Sequence, residues 1–155
     1  MGFKVEHRIG VARPGAEVWA VLYDLPAWRE WNPMYPEISG KFLVSAPLSV
    51  TEKVDGRTET YTATVAEWSP GTQIIWTRKS HGGLVRHVRY IEIEKLSDTG
   101  CIFANGELFE GWLAPYLVSG GRRKRLRQAF RGFCEAAKAE VEAGRGADTE
   151  AWTRA

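Results

Sequence analysis

Leu126, Phe130, Phe133, Ala137 and Val141 recur at intervals of four, three, four and four, one apolar stripe on one long helix. Most of the chain before them reads at a period of two. Phe3, Val5, His7, Ile9 and Val11 alternate with mostly polar neighbours, the pattern of a half-buried strand. Further strands are expected at 38–44, 48–54, 57–68, 73–79, 85–96 and 101–109. Between them stand turn signals: Asp55-Gly56, Ser69-Pro70-Gly71, His81-Gly82-Gly83 and Ser97-Asp98-Thr99-Gly100. Gly120-Gly121 and Gly144-Arg145-Gly146 bound the helix, which is expected over 122–143. No other long helix interrupts this antiparallel series. A single helix cannot cover the concave face of so many strands. Either bulky side chains fill the remaining space or a cavity persists there.

The 155 residues are enough for one domain with a real core, expected over 1–143, with 144–155 as a loose tail holding Trp152. Hydrophobic and charged contents of 44% and 26% are those of an ordinary globular chain, but seven tryptophans are not ordinary. They serve either as core or as the lining of an interior. A net charge of +2 does not by itself call for a nucleic-acid partner. No stretch approaches the ~20 apolar residues of a membrane span. The first residues have no apolar signal core, and Glu6 stands where a myristoylation motif on Gly2 needs Ser or Thr. Cytoplasmic residence is the resulting expectation.

Pro14 suits a helix start, and Val18, Trp19, Leu22 and Leu25 make one stripe before Pro26. Then comes Trp28-Arg29-Glu30-Trp31-Asn32-Pro33, two indoles on one face of a short helix that proline ends. They either pack on the core or touch a ligand. The run from Ala12 to Trp28, with its Pro14-Gly15-Ala16-Glu17-Val18-Trp19 phrase and the Trp31-Asn32-Pro33 stop, resembles the opening of the START-related SRPBCC superfamily, in its polyketide cyclase/dehydrase branch. Gly106-Glu107-Leu108-Phe109-Glu110-Gly111-Trp112-Leu113-Ala114-Pro115 is similar to that family's last strand and exit. Ala137-Lys138-Ala139-Glu140 is similar to the end of its long helix, with Ala137 in place of the usual Leu. The resemblance spans roughly residues 3–143 and implies an α+β helix-grip fold. That fold is a curved antiparallel sheet of six or seven strands wrapped around a long C-terminal helix, with short helices after the first strand. It also implies an enclosed site for an apolar small molecule. It carries over no fixed catalytic set, because the fold hosts carriers and cyclases alike.

Face parity places the candidate site. Ile91 and Ile93 point inward, and period two carries Arg89 and His87 with them. Phe103 and Phe109 fix the inner face of the partner strand, bringing Asn105 and Glu107 onto it. If the turn pairs Ile93 with Phe103, then Ile91 faces Asn105 and Arg89 faces Glu107. Such a pair needs further hydrogen bonds to offset desolvation, and Asn105 stands one step away. Three roles are open to it: a structural ion pair, the orientation of a ligand's polar group, or acid–base work by Glu107 and Arg89. Tyr61, with Ala63 and Val65, is taken as inner, against Thr58, Thr60, Thr62 and Thr64. Trp76 lies in a run with apolar residues on both faces. The expected ligand contacts are Trp28, Trp31, Tyr61, Trp76, His87, Arg89, Ile91, Phe103, Asn105, Glu107, Phe109, Phe130 and Phe133.

His7, His81 and His87 have no metal-ligand spacing, and Cys101 and Cys134 fall in apolar patterns as small hydrophobes, so neither a metal nor a cofactor is expected. There is no glycine-rich phosphate loop and no nucleophile elbow. Arg122-Arg123-Lys124-Arg125-Leu126-Arg127 places positive charge at the helix N-terminus, where the dipole disfavours it. A solvated face, acidic residues of the same chain, an anionic lipid surface or RNA would each answer that charge. Three functions fit these residues: binding of a hydrophobic small molecule (lipid, polyketide or quinone), a cyclase or dehydratase using polar cavity residues, or an interaction module without ligand.

Overall fold

The computed structural model describes residues 2–154, apart from the side chain of Trp152. Strand β1 (Gly2–Val11) leads into helix α1 (Gly15–Tyr23), a 3-10 turn at Leu25–Ala27 and the single-turn helix α2 (Trp28–Trp31). Six strands follow: β2 (Glu37–Gly40), β3 (Pro47–Val54), β4 (Arg57–Ser69), β5 (Gln73–Ser80), β6 (Val85–Lys95) and β7 (Cys101–Glu110). The short α3 (Ala114–Leu117) then precedes the long α4 (Gly120–Glu142). All seven strands form one antiparallel sheet in the order β1-β7-β6-β5-β4-β3-β2. This is the helix-grip architecture: a sheet, a long C-terminal helix against it, and short helices after the first strand.

Local chemistry explains the joints. Asp55 and Gly56 both have positive φ (50° and 76°), the turn whose twist matches the β3–β4 hairpin. Ser119 caps α4, its Oγ accepting from the Arg122 N–H at 3.2 Å, so the helix begins two residues before the expected 122. The strand expected over 38–44 stops at Gly40, whose φ of +129° leaves the extended region. Leu43 and Val44 beyond it are 50% and 60% exposed, so their apolar character marks a loop and not a strand. After α4, Gly144 turns the chain with a φ of +88°, and Gly146 lies tight on the backbone of Glu17. The first residues of the expected loose tail are therefore folded against α1. Trp152 lies outside the described side chains.

The core lies between sheet and helix. Leu126, Phe130, Phe133, Cys134, Ala137 and Val141 make the buried stripe of α4. Phe133 is the hub of an aromatic cluster, with ring centroids 5.5 Å from Trp28, 5.6 Å from Phe103 and 5.7 Å from Tyr35. The Trp28 indole also donates to the Leu22 carbonyl at 3.0 Å. At this level the space between helix and sheet is filled by aromatic rings. Cys101 and Cys134 are buried free thiols. Among the described residues no helix is long and apolar enough to cross a membrane.

Candidate functional site

Strand register assembles a polar cluster inside this core. Ile93 faces Phe103, Ile91 faces Asn105 and Arg89 faces Glu107. Arg89 and Glu107 are 2% and 3% exposed, with Arg89 Nη2 3.4 Å from Glu107 Oε1. The closest partner of Arg89 is Glu52 on β3, whose Oε1 accepts from Nη2 at 2.5 Å. His87 Nδ1 meets Glu107 Oε1 at 3.2 Å, and its Nε2 meets Ser80 Oγ at 2.7 Å. Arg78, on β5, grips Glu59 at 3.0 and 3.3 Å, stacks 4.0 Å over the Tyr61 ring and lies 4.0 Å from Glu52. Phe130 of α4 covers the Arg89 guanidinium at 4.6 Å.

Arg89 is shared between two buried carboxylates, Arg78 is drawn off mainly to Glu59, and the two acids separate in proton affinity. Burial, then the charge of Glu107, push Glu52 up to about 8, against the pull of Arg78. Burial also acts to raise Glu107, but Arg89, the His87 hydrogen bond and Arg78 outweigh it and hold that carboxyl at about 2. The two acids are thereby driven apart, Glu52 towards its neutral form and Glu107 towards its ionised one. Arg89 occupies Oε1 of Glu52, and Oε2 lies 4.0 Å from Arg78 Nη2. Burial also moves the Tyr61 phenol well up.

The cluster opens into a cavity of about 250 Å³ between the β3–β4 hairpin and the first turns of α4. Glu52 and Glu107 form its buried end, Val54, Arg78 and Leu126 line it, and Arg57, Glu59, Arg122 and Arg125 stand at its exposed end. Asp55 at the hairpin tip meets Arg125 at 3.7 Å across the mouth.

The lining differs from the expected one. Of the anticipated contacts, Glu107 lines this cavity. His87 and Arg89 support it from the strands, and Tyr61 lies under Arg78. Trp28, Trp76, Ile91, Phe103, Phe109, Phe130 and Phe133 are buried in the packed core, with Trp31 half-buried beside them. Trp28, Trp31, Trp76, Phe103, Phe109 and Phe133 each pack against another ring, Phe130 packs on the Arg89 guanidinium, and none of them lines the cavity. Asn105 is fully buried, and neither atom of its amide has a hydrogen-bond partner among the described residues. It does not brace the ion pair as its position suggested; Glu52 and His87 do. Glu52 was legible in β3, where Leu48, Val50 and Glu52 share a parity. Arg78 shares the parity of Ile74 and Trp76, hidden by the apolar residues on the other face of β5. Arg122 and Arg125 reach the cavity only through the docking of α4. Among the described residues no group of three His, Cys, Asp or Glu is arranged to hold a metal ion.

Comparison with solved structures places this arrangement in a known architecture. The Zhui aromatase/cyclase from Streptomyces sp. R1128 superposes with a TM-score of 0.70 at 17% identity, over 92% of this chain and 94% of that one. A START superfamily protein from Mycobacterium smegmatis gives 0.69 at 16% identity, over 90% and 97%. Norcoclaurine synthase from Thalictrum flavum, in complex with dopamine and hydroxybenzaldehyde, gives 0.69 at 12% identity, over 93% and 88%. At such identities the likeness is one of fold. No curated protein matches the sequence. The family described as polyketide cyclase / dehydrase and lipid transport matches residues 2–142, so the chain belongs to that family, within the START-related SRPBCC superfamily.

Proposed function

We propose that the protein binds a compact small molecule whose polar end enters the cavity between the β3–β4 hairpin and α4. The observation that carries this reading is the cavity itself: about 250 Å³ with two buried carboxyls at its inner end and arginines at its mouth. The volume suits a small ring system or a short chain better than a full-length lipid. Val54 and Leu126 offer apolar contact, and Arg78, Glu52 and Glu107 offer hydrogen bonds to a carbonyl, hydroxyl or carboxylate.

A second reading, a cyclase or dehydratase, draws support from the separated carboxyls. A neutral acid beside an ionised carboxylate is the pairing that proton transfer needs at one pH. Glu52 would protonate a carbonyl or leaving hydroxyl. Glu107, held by Arg89 and His87, would stabilise the positive charge of the cluster. The same geometry serves a carrier that only hydrogen-bonds its ligand.

Native mass spectrometry of the protein purified from its own host is the deciding experiment. A co-purifying mass of a compact, oxygenated molecule is the expected result. Glu52→Gln separates the two readings: a carrier keeps its ligand unaltered, whereas an enzyme binds it and loses turnover. No co-purifying mass, together with no binding of aromatic acids, ketones or fatty acids below millimolar concentration, would leave only the ligand-free interaction module.

A further inference from the structure

The end of the molecule that carries the cavity mouth also exposes apolar side chains that the fold does not use. Trp112 is 73% exposed, Tyr116 83%, Leu84 49% and Leu117 37%. Backbone contacts bring them to the same end of the fold. Gly111, with φ of +122°, presses its backbone onto the Leu84 carbonyl, which brings the 81–84 turn beside Trp112. Tyr116 and Leu117 belong to α3, which only Val118 and Ser119 separate from α4.

The basic run borders the same surface. The Arg123 guanidinium donates to the Pro115 carbonyl at 3.3 Å and stacks 3.6 Å over the Phe3 ring, so this face of α4 abuts α3. Lys124 and Arg127 are exposed and make no ion pair among the described residues. Of the acids the fold brings near, Asp55 answers Arg125 and Glu110 answers Arg86. The 23-residue helix α4 has no acidic residue in its first turn, so its positive dipole end adds to that of the side chains.

We infer that this end docks on an anionic phospholipid surface, with Trp112, Tyr116, Leu84 and Leu117 entering the headgroup region and Lys124 and Arg127 contacting the lipid phosphates. Tryptophan and tyrosine favour that depth because an apolar ring and a polar tip match the boundary. The aliphatic Leu84 and Leu117 favour acyl chains over RNA, whose bases stack on aromatic faces. Anionic headgroups would offset both the side-chain charge and the helix dipole. Arg122 and Arg125 belong to the cavity mouth, so docking would turn that mouth towards the bilayer. The inference does not depend on what the cavity binds.

Co-sedimentation with vesicles tests it. The full chain should pellet with phosphatidylcholine vesicles containing phosphatidylglycerol, remain in the supernatant with phosphatidylcholine alone, and be released by salt. The double variant Trp112→Ser/Tyr116→Ser should weaken binding ~10-fold or more, and Lys124→Glu/Arg127→Glu likewise, with far-UV circular dichroism unchanged. All four side chains are exposed, so these variants keep the fold. Equal binding to neutral vesicles, or wild-type binding by either double variant, overturns the inference. So does a Trp112-dependent dimer in solution without lipid, or a preference for an RNA oligonucleotide over vesicles.

Discussion

At the scale of single residues, Glu52 and Glu107 make opposite demands on pH. Glu52 is raised from its ordinary 4.5 to about 8, so the folded protein keeps a proton that the unfolded chain has lost. Its contribution to stability is complete below about pH 4.5 and declines as pH rises towards 8. Glu107 is lowered from 4.5 to about 2, so its contribution is present above pH 4.5 and is lost as pH falls towards 2. The melting temperature should therefore pass through a maximum near pH 5 and fall on both sides. Glu52→Gln keeps the hydrogen bonds of the neutral acid and cannot ionise. Its melting temperature should stay level from pH 5 to 8, where the wild type declines; a decline equal to the wild type's would show that Glu52 is not the group responsible. Glu107→Leu is the opposite case. It takes one carboxylate from Arg89 and His87, leaves Arg89 paired with Glu52 alone, and should cost about 1–3 kcal/mol in denaturant unfolding, the penalty for buried polar groups left part-satisfied.

At the scale of elements, the sheet and α4 hold each other through Phe130 and Phe133. Both are fully buried, and Phe130 also covers the Arg89 guanidinium. Phe130→Ala should destabilise by about 3–5 kcal/mol, since it opens a cavity under the helix and uncovers a charge. A loss below about 1 kcal/mol would mean that α4 does not pack there. Ser119→Ala removes the cap of the same helix and should cost about 1 kcal/mol, read as a shift in urea midpoint without change of slope. Much of this level was legible beforehand. The β6–β7 register followed from a four-residue turn and the parity of Ile91, Ile93, Phe103 and Phe109. The end of β2 at Gly40 was not, because apolar residues in a surface loop look like a strand until the backbone is known to turn.

At the scale of the whole molecule, the seven strands and α4 share one core. Unfolding should therefore be a single cooperative transition, with tryptophan fluorescence and far-UV circular dichroism changing together. Separated transitions would mean that the β2–β4 part of the sheet unfolds apart from the rest. The packing also decides where a ligand goes. Trp28, Tyr35, Trp76, Phe103 and Phe133 occupy the middle of the space between helix and sheet, which leaves the open volume at the hairpin end.

The sequence by itself determined the succession of strands along the chain, the single long helix, and the inward direction of His87, Arg89, Asn105 and Glu107. Each of these is local: a period, a turn or a parity, written within a few tens of residues. Only the tertiary structure decided that Glu52 of β3 closes on Arg89 of β6, that Asn105 makes no bond to the pair, and that the aromatic rings fill space where a cavity was possible. Those outcomes depend on how strands far apart in the chain curve towards one another and on how side-chain volumes sum beneath a helix. Both are properties of the packed whole, set by close packing and by the need to pair buried charge, and no single stretch of residues contains them.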